Sequence, residues 1–255
     1  AQIMHLRYLR ELESRFVITA ICDLSTQLLD YIGELYNVQS RYLDYRNLLR
    51  DEQVDAVLVL SGGDHTEVVV DCLEAGKQVL CEKPLCYRTD DAQRIIAAEA
   101  ASTANVLMGY SMAFDPSFKA GREYLDSWDQ VNYVSVQVLH PANELYFSHQ
   151  EVKTYDDVSE RSLANQGESA YRTVSEVLEV EQVDTKIVRM FYTLFNSSIH
   201  DAYCLRLLLG EPEEVLSVEG WRDGRAIIAT LRYPNDVRVQ YAWVFNGALK
   251  HFHQE

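Results

Sequence analysis

Between Ala75 and Asp91 the chain reads AGKQVLCEKPLCYRTDD, where a short apolar run, Gln78–Cys81, opens directly into Glu82-Lys83-Pro84. A lysine at the mouth of a core strand is either a side chain snorkelling to water or a cation held in one place for chemistry. Pro84 stops the strand and sets the backbone that carries Lys83. Desolvation lowers a lysine's pKa, and such an ammonium stabilises a developing oxyanion by charge and hydrogen bonding. His200 lies in an apolar helical stretch. Imidazole titrates near neutrality and so exchanges protons at working pH; the alternative is a histidine hydrogen-bonded within a core. Asp23 ends one apolar run, and Ser61-Gly62-Gly63-Asp64-His65 follows another. Glycines there let the backbone approach a ligand closely, or simply make a tight turn.

These residues depend on the elements that carry them. Residues 1–14 place Ile3, Leu6, Leu9 and Leu12 near helical spacing, and RFVITAICD reads as a buried strand ending at Asp23. STQLLDYIGELY is a helix with Ser25 as its cap, VDAVLVLSGGD a strand stopping at a glycine pair, and HTEVVVDCLEAGK a helix closed by Gly76. QVLCEKP and NVLMGY are further strands around a helix that Thr89 would cap. Continuous apolar strands separated by helices imply a parallel sheet covered on both faces, wound right-handedly, with its ligand edge at the strands' carboxyl ends. The expected architecture is α/β: a Rossmann-type doubly wound domain over 1–115 and an α+β domain with an open, mainly antiparallel sheet over 116–255. In the second, a helix near 117–126 leads to VNYVSVQVLH, read as a half-solvated antiparallel strand. A charged, mainly helical stretch over 151–195 follows, then an apolar helix from Ser198 to Leu209 stopped by Gly210, and the strands EVLSVEGW, AIIATLRYP and RVQYAWVF. A doubly wound sheet normally starts with a strand before its first helix. The chain given opens inside that helix and closes in an unfinished strand, so both ends are expected to continue in a longer polypeptide.

The chain has 255 residues, 47% apolar and 24% charged, with a formal net charge of −16. An acidic surface argues against nucleic acid or an anionic membrane as partner, since phosphates are bound by clustered Lys and Arg. No apolar run approaches the roughly 18 residues of a membrane span, and no signal segment opens the chain. The odd number of cysteines, Cys22, Cys72, Cys81, Cys86 and Cys204, reads as reduced core thiols of a cytoplasmic protein. No metal site is expected; His251 and His253, two apart, make only a weak zinc pair.

In a dinucleotide fold an acid at the position of Asp23 accepts the adenine ribose hydroxyls and repels a 2′-phosphate; the alternative is a turn aspartate ahead of a helix. Leu24 follows with no arginine for such a phosphate, which favours NAD over NADP. Three stretches together carry a resemblance: EAGKQVLCEKPL, GYSMAFDPSF and NSSIHDAYCLRLLLGEP. They are similar, in order and spacing, to segments of the glucose-fructose oxidoreductase, inositol dehydrogenase and rhizopine-catabolism oxidoreductase family (Gfo/Idh/MocA). The resemblance implies a Rossmann domain and an open-faced α/β domain, with nicotinamide and substrate meeting between them. It implies Lys83 at the reacting hydroxyl and His200 as acid/base, with Asn196 beside them. It implies cofactor contacts from Asp23, Ser61, Gly62, Gly63, His65, Glu82 and Lys83, and a Gly-x-Gly-x-x segment ahead of Ala1.

The chemistry agrees with these roles. Oxidising a secondary alcohol requires a hydride acceptor and a group that takes the hydroxyl proton, and no metal is needed where an ammonium holds the alkoxide. His200 is the natural proton acceptor, with Lys83 as its electrostatic partner. Two departures stand out: Asn196 where many members carry Asp, and Ala113 where they often carry Arg. Asparagine hydrogen-bonds but holds no charge. Asp201 falls on another side of the helix. His140, Asn143 and Tyr146 either line a polyol pocket or are solvated loop residues. The expected function is NAD-dependent oxidation of a sugar, inositol or related polyol. The alternatives are a glycosidase that oxidises and re-reduces, and a catalytically silent sensor of NAD or sugar. The resemblance also implies a homodimer or homotetramer through the sheet of the second domain, a face that the alternating strands AIIATLRYP and RVQYAWVF, with Tyr241 and Trp243, would suit.

Overall fold

The structure, a computed structural model, describes residues 1–142, 150–158 and 170–247 and the backbone of 253–254. Two compact units form: Ala1–Gly109 with Phe147–Ala170, and Tyr110–Tyr146 with Tyr171–Glu255. The chain leaves the first unit at Gly109, ahead of the expected boundary at 115/116, and residues 150–158 return to it. That return breaks the expected single cut, and 150–158 carry no helix. A boundary read along the sequence marks where composition changes, whereas a unit is a set of contacts, which a distant segment can rejoin.

In the first unit α1 (His5–Glu11) leads to β1 (Ala20–Cys22), α2 (Thr26–Tyr36), β2 (Ser40–Tyr42), α3 (Tyr45–Leu48) and β3 (Ala56–Val59). Then come α4 (Thr66–Glu74), β4 (Gln78–Cys81), α5 (Thr89–Ala101) and β5 (Val106–Met108). β1 and β2 pair in parallel, and β3, β4 and β5 form a second parallel set in that order. Val69, Cys72 and Leu73 of α4 fall at i, i+3 and i+4, so one helical face packs against Val59, Val79 and Cys81 of the sheet and against Ile95 of α5. Burying each such aliphatic side chain contributes about 1.5–3 kcal/mol. Ser25 Oγ caps α2 by accepting the Leu28 N–H at 3.0 Å, and Gly76 ends α4 at φ +70°. Arg88, not Thr89, is the residue before α5, with no side-chain cap. Of RFVITAICD only β1 is paired: Val17 is 79% exposed, because apolar residues count as strand only where a neighbour supplies hydrogen bonds. The cysteines divide in the same way. Cys72 and Cys81 are buried, which pushes both thiols up to about 12, whereas Cys22 is exposed and Cys86 and Cys204 lie between.

In the second unit α6 (Pro116–Asp126) starts at Asp115, whose carboxylate accepts the Ser117 and Phe118 N–H groups and is held below its ordinary pKa by them. β6 (Tyr133–His140) follows, then helical residues 170–178, α7 (Thr185–Thr193), a π-helical turn Leu194–Ser198, and α8 (Ile199–Leu209). β7 (Glu214–Trp221), β8 (Ala226–Tyr233), β9 (Val237–Phe245) and β10 (His253–Gln254) complete a sheet ordered β10-β6-β9-β8-β7. β8 is antiparallel to both of its neighbours, β7 and β9, and β10 is antiparallel to β6. β6 and β9 run parallel, which corrects the purely antiparallel reading of β6. Alternation reports which face is buried and carries nothing about the neighbour's direction. Tyr241 and Trp243 are 7% and 6% exposed. Tyr241 donates its O–H to Asp201 at 2.9 Å and Trp243 its Nε1–H to Ser197 Oγ at 2.8 Å. Their face of β9 is thus covered by the chain's own helical segment, not presented to a second copy. Among the described residues no helix is long and apolar enough to cross a membrane.

Candidate active site

Lys83 lies two residues past the end of β4, after Glu82, and is half-buried. Desolvation lowers the pKa of its ammonium, and the charge of Glu82 opposes that shift. The backbone beneath it is pinned on several sides. Glu82 N–H donates to Val59 O at 3.0 Å, Gly109 N–H to Cys81 O at 2.8 Å, and Lys83 N–H to Glu82 Oε2 at 3.3 Å. Glu82 Oε1 lies 3.0 Å from His5 Nε2, so this carboxylate ties the end of β4 to α1. A Cβ on Gly109 would meet the Glu82 carboxyl at 3.2 Å, so glycine is what lets β5 pass this close.

Asp23 is exposed just past β1; its Oδ1 accepts the Ser25 N–H at 3.0 Å, leaving Oδ2 to accept a further hydrogen bond. Ser61, Gly62 and Gly63 are exposed past β3. His65, expected among the cofactor contacts, is fully buried. Its Nδ1 lies 2.7 Å from Pro84 O and its Nε2 2.7 Å from Ser61 O, while its main-chain N–H donates to Leu85 O. With both ring nitrogens turned to carbonyls it offers no ring atom to a ligand. It positions the two loops that follow β3 and β4. Asp64 works beside it and escaped the sequence reading: Oδ1 accepts from Thr66 N and Oδ2 from Tyr87 N. An aspartate two residues ahead of a helix start is the sequence signal for such a role.

The glycine pair separates two effects. Gly63 has φ +96° and open space around its missing Cβ, so Gly63→Ala is expected to cost about 1–2 kcal/mol of folding stability through backbone strain alone. A Cβ on Gly62 also meets nothing within 4 Å, and no positive φ constrains it. Gly62→Ala should leave the denaturation midpoint unchanged while weakening any ligand that lies against this turn. Urea unfolding and calorimetric titration with NAD check the two.

In the second unit Asn196 lies within the π-helical turn Leu194–Ser198 and His200 in the first turn of α8, a break that helical spacing in the sequence did not show. Asn196 is exposed and His200 half-buried. Asp201 is 5% exposed and turned into the sheet, where Tyr241 donates to it, consistent with its reading as facing away from the reacting side. Burial and the charge of Asp201 push the Tyr241 hydroxyl up. Tyr241→Phe removes a buried hydrogen bond to a carboxylate and should cost about 1.5–3 kcal/mol, read as a lower urea midpoint. Tyr203, one turn beyond His200, stacks on Tyr110 with ring centroids 4.0 Å apart. His140 Nδ1 lies 2.8 Å from Pro141 O, and its ring is 5.5 Å from Trp243. Asn143, Tyr146 and His251 lie outside the described residues, as does the side chain of His253.

Residues 1–110 match the profile of the Gfo/Idh/MocA oxidoreductase family with NAD-binding Rossmann fold. Over 112 residues the chain is 34% identical to myo-inositol 2-dehydrogenase of Thermotoga maritima, a match covering 44% of this chain and 34% of that enzyme. Over 126 residues it is 30% identical to inositol 2-dehydrogenase of Salmonella typhimurium, covering 48% and 38%. The matches thus span little more than a third of these relatives. Among solved structures, a probable dehydrogenase from Thermotoga maritima superposes with TM-score 0.71 at 21% identity, covering 97% of this chain and 67% of that one. The scyllo-inositol dehydrogenase of Lactobacillus casei with bound NAD(H) and scyllo-inositol gives 0.66 at 17%, covering 93% and 64%. At these identities the likeness establishes the fold, and it extends over both units. Over residues 1–110, then, the chain is similar to the Gfo/Idh/MocA oxidoreductase family with its NAD-binding Rossmann fold.

Proposed function

We propose that the protein is an NAD-dependent dehydrogenase that oxidises a CH–OH group of a sugar, inositol or related polyol. The observation that carries this reading is Lys83: an ammonium, its pKa lowered by burial, stands on a pinned backbone at the carboxyl end of a parallel strand. The residues present fit a dinucleotide. Asp23 keeps a carboxylate oxygen for a ribose hydroxyl, and the turn after β3 has open space over Gly62. Bound NAD supplies the hydride acceptor. The chain's own residues do the rest. Lys83 donates a hydrogen bond to the reacting hydroxyl and stabilises the negative charge that grows on its oxygen, and the imidazole of His200 takes the proton. Asn196 orients by hydrogen bonding and leaves His200 without the acid that a family Asp would supply.

The test is NADH formation, followed by absorbance, with full-length protein and a panel of inositols, sugars and other polyols. Turnover of at least one CH–OH substrate is the expected result. A second reading, a silent sensor, is favoured by Asn196 alone. Tight binding of NAD or sugar with no turnover anywhere on the panel would replace the first reading with the second.

A further inference from the structure

The amino end of α2 is filled by the chain's own acceptors. Ser25 N–H donates to Asp23 Oδ1 at 3.0 Å, and Leu28 N–H donates to Ser25 Oγ at 3.0 Å. Gln27 N–H donates to Asp157 Oδ2 at 2.9 Å, and the Ser25 hydroxyl to Asp157 Oδ1 at 2.6 Å. Asp157 lies far along the chain, in the segment that returns to the first unit. One serine thus joins two carboxylates, Asp23 through its main-chain nitrogen and Asp157 through its hydroxyl. Hydrogen bonds from Gln27 N–H and the Ser25 hydroxyl hold Asp157 below the ordinary carboxylate range, so it is anionic at neutral pH.

A helix amino end ordinarily offers unpaired N–H groups and the positive end of its dipole to an anion. A phosphate on a ribose 2′-oxygen carries about −1.5 to −2 charges at pH 7 and needs such donors or a cation. Here the residue after Asp23 is Leu24, 59% exposed, and the basic side chain of 150–158, Lys153, is engaged by Glu151. We propose that Asp157 is a specificity-determining residue of the dinucleotide site. It excludes a 2′-phosphate from the ribose position at Asp23 by occupying the donors that phosphate would need and by placing a second negative charge beside it. This rests on the reading of the first unit as NAD-binding and goes beyond it, because Asp157 comes from outside the matched residues 1–110.

Calorimetric titration of full-length protein with NAD and with NADP, in wild type, Asp157→Asn and Asp157→Ala, tests the proposal. Asn removes the charge and keeps an acceptor for Gln27, so the fold at α2 is retained; Ala also frees the donors. The ratio of NADP to NAD dissociation constants should fall about fivefold in Asp157→Asn and about tenfold or more in Asp157→Ala. The change should shrink in high salt, since the carboxylate is exposed. A merely structural role would weaken both dinucleotides together and leave the ratio where it was. Wild type that binds NAD, with an unchanged ratio in Asp157→Asn, overturns this proposal and leaves the dinucleotide reading standing. Wild type that binds neither dinucleotide, or prefers NADP, overturns both.

Discussion

Lys83→Ala is expected to lower kcat for polyol oxidation by roughly 10²–10³, with the dissociation constant for NAD changed only a few-fold. The asymmetry follows from where the charge is needed. The reactant hydroxyl is neutral and the transition state places negative charge on its oxygen, so an ammonium there contributes chiefly at the transition state. Single-turnover measurements with saturating NAD isolate that step. The same group sets the alkaline side of the pH profile. Lys83 is competent while protonated, so activity is present below its pKa and lost as pH rises through it. Burial lowers that pKa, with Glu82 opposing, so the alkaline limb should fall below the ordinary lysine value of about 10.4. An unaltered kcat in Lys83→Ala would remove the proposed role outright.

His200→Ala should reduce kcat by roughly 10²–10⁴, the usual worth of a positioned general base. It should also flatten the acid limb of kcat/KM, because an imidazole accepts a proton only in its neutral form. A histidine that merely packed α8 would lower the unfolding midpoint and leave the shape of the pH profile unchanged. The double variant, Lys83→Ala with His200→Ala, adds a test neither single change provides. Groups that act as a unit on one oxygen lose little more together than either loses alone, whereas independent effects multiply. A product of the two single losses would mean that the two residues serve different steps.

Much of this architecture is written locally. The helix and strand periods, the Ser25 cap, the glycine ends of α4 and α8 and the capping Asp115 all rest on interactions between residues a few positions apart. The same locality makes Glu82-Lys83-Pro84 legible, since a lysine between a strand and a proline is conspicuous in one dimension. The fate of His65 was not. Its types and position suited a ligand contact equally well, and only the packing of the loop after β4 turned both ring nitrogens to carbonyls. Likewise Tyr241 and Trp243 had the alternation of an exposed face, and the helix above β9 decided that they are covered.

What the sequence determined alone was therefore the order of elements, the parallel βα character of the first half and the chemical candidates at strand ends. Tertiary structure decided which candidates are positioned by others, the parallel pairing of β6 with β9, and the return of Asp157 to the amino end of α2. The physical reason is range. Helix periods, caps and turns are closed by neighbours within a turn of chain, whereas a strand's partner and a carboxylate's donors are chosen by contacts whose sequence separation leaves no periodic trace.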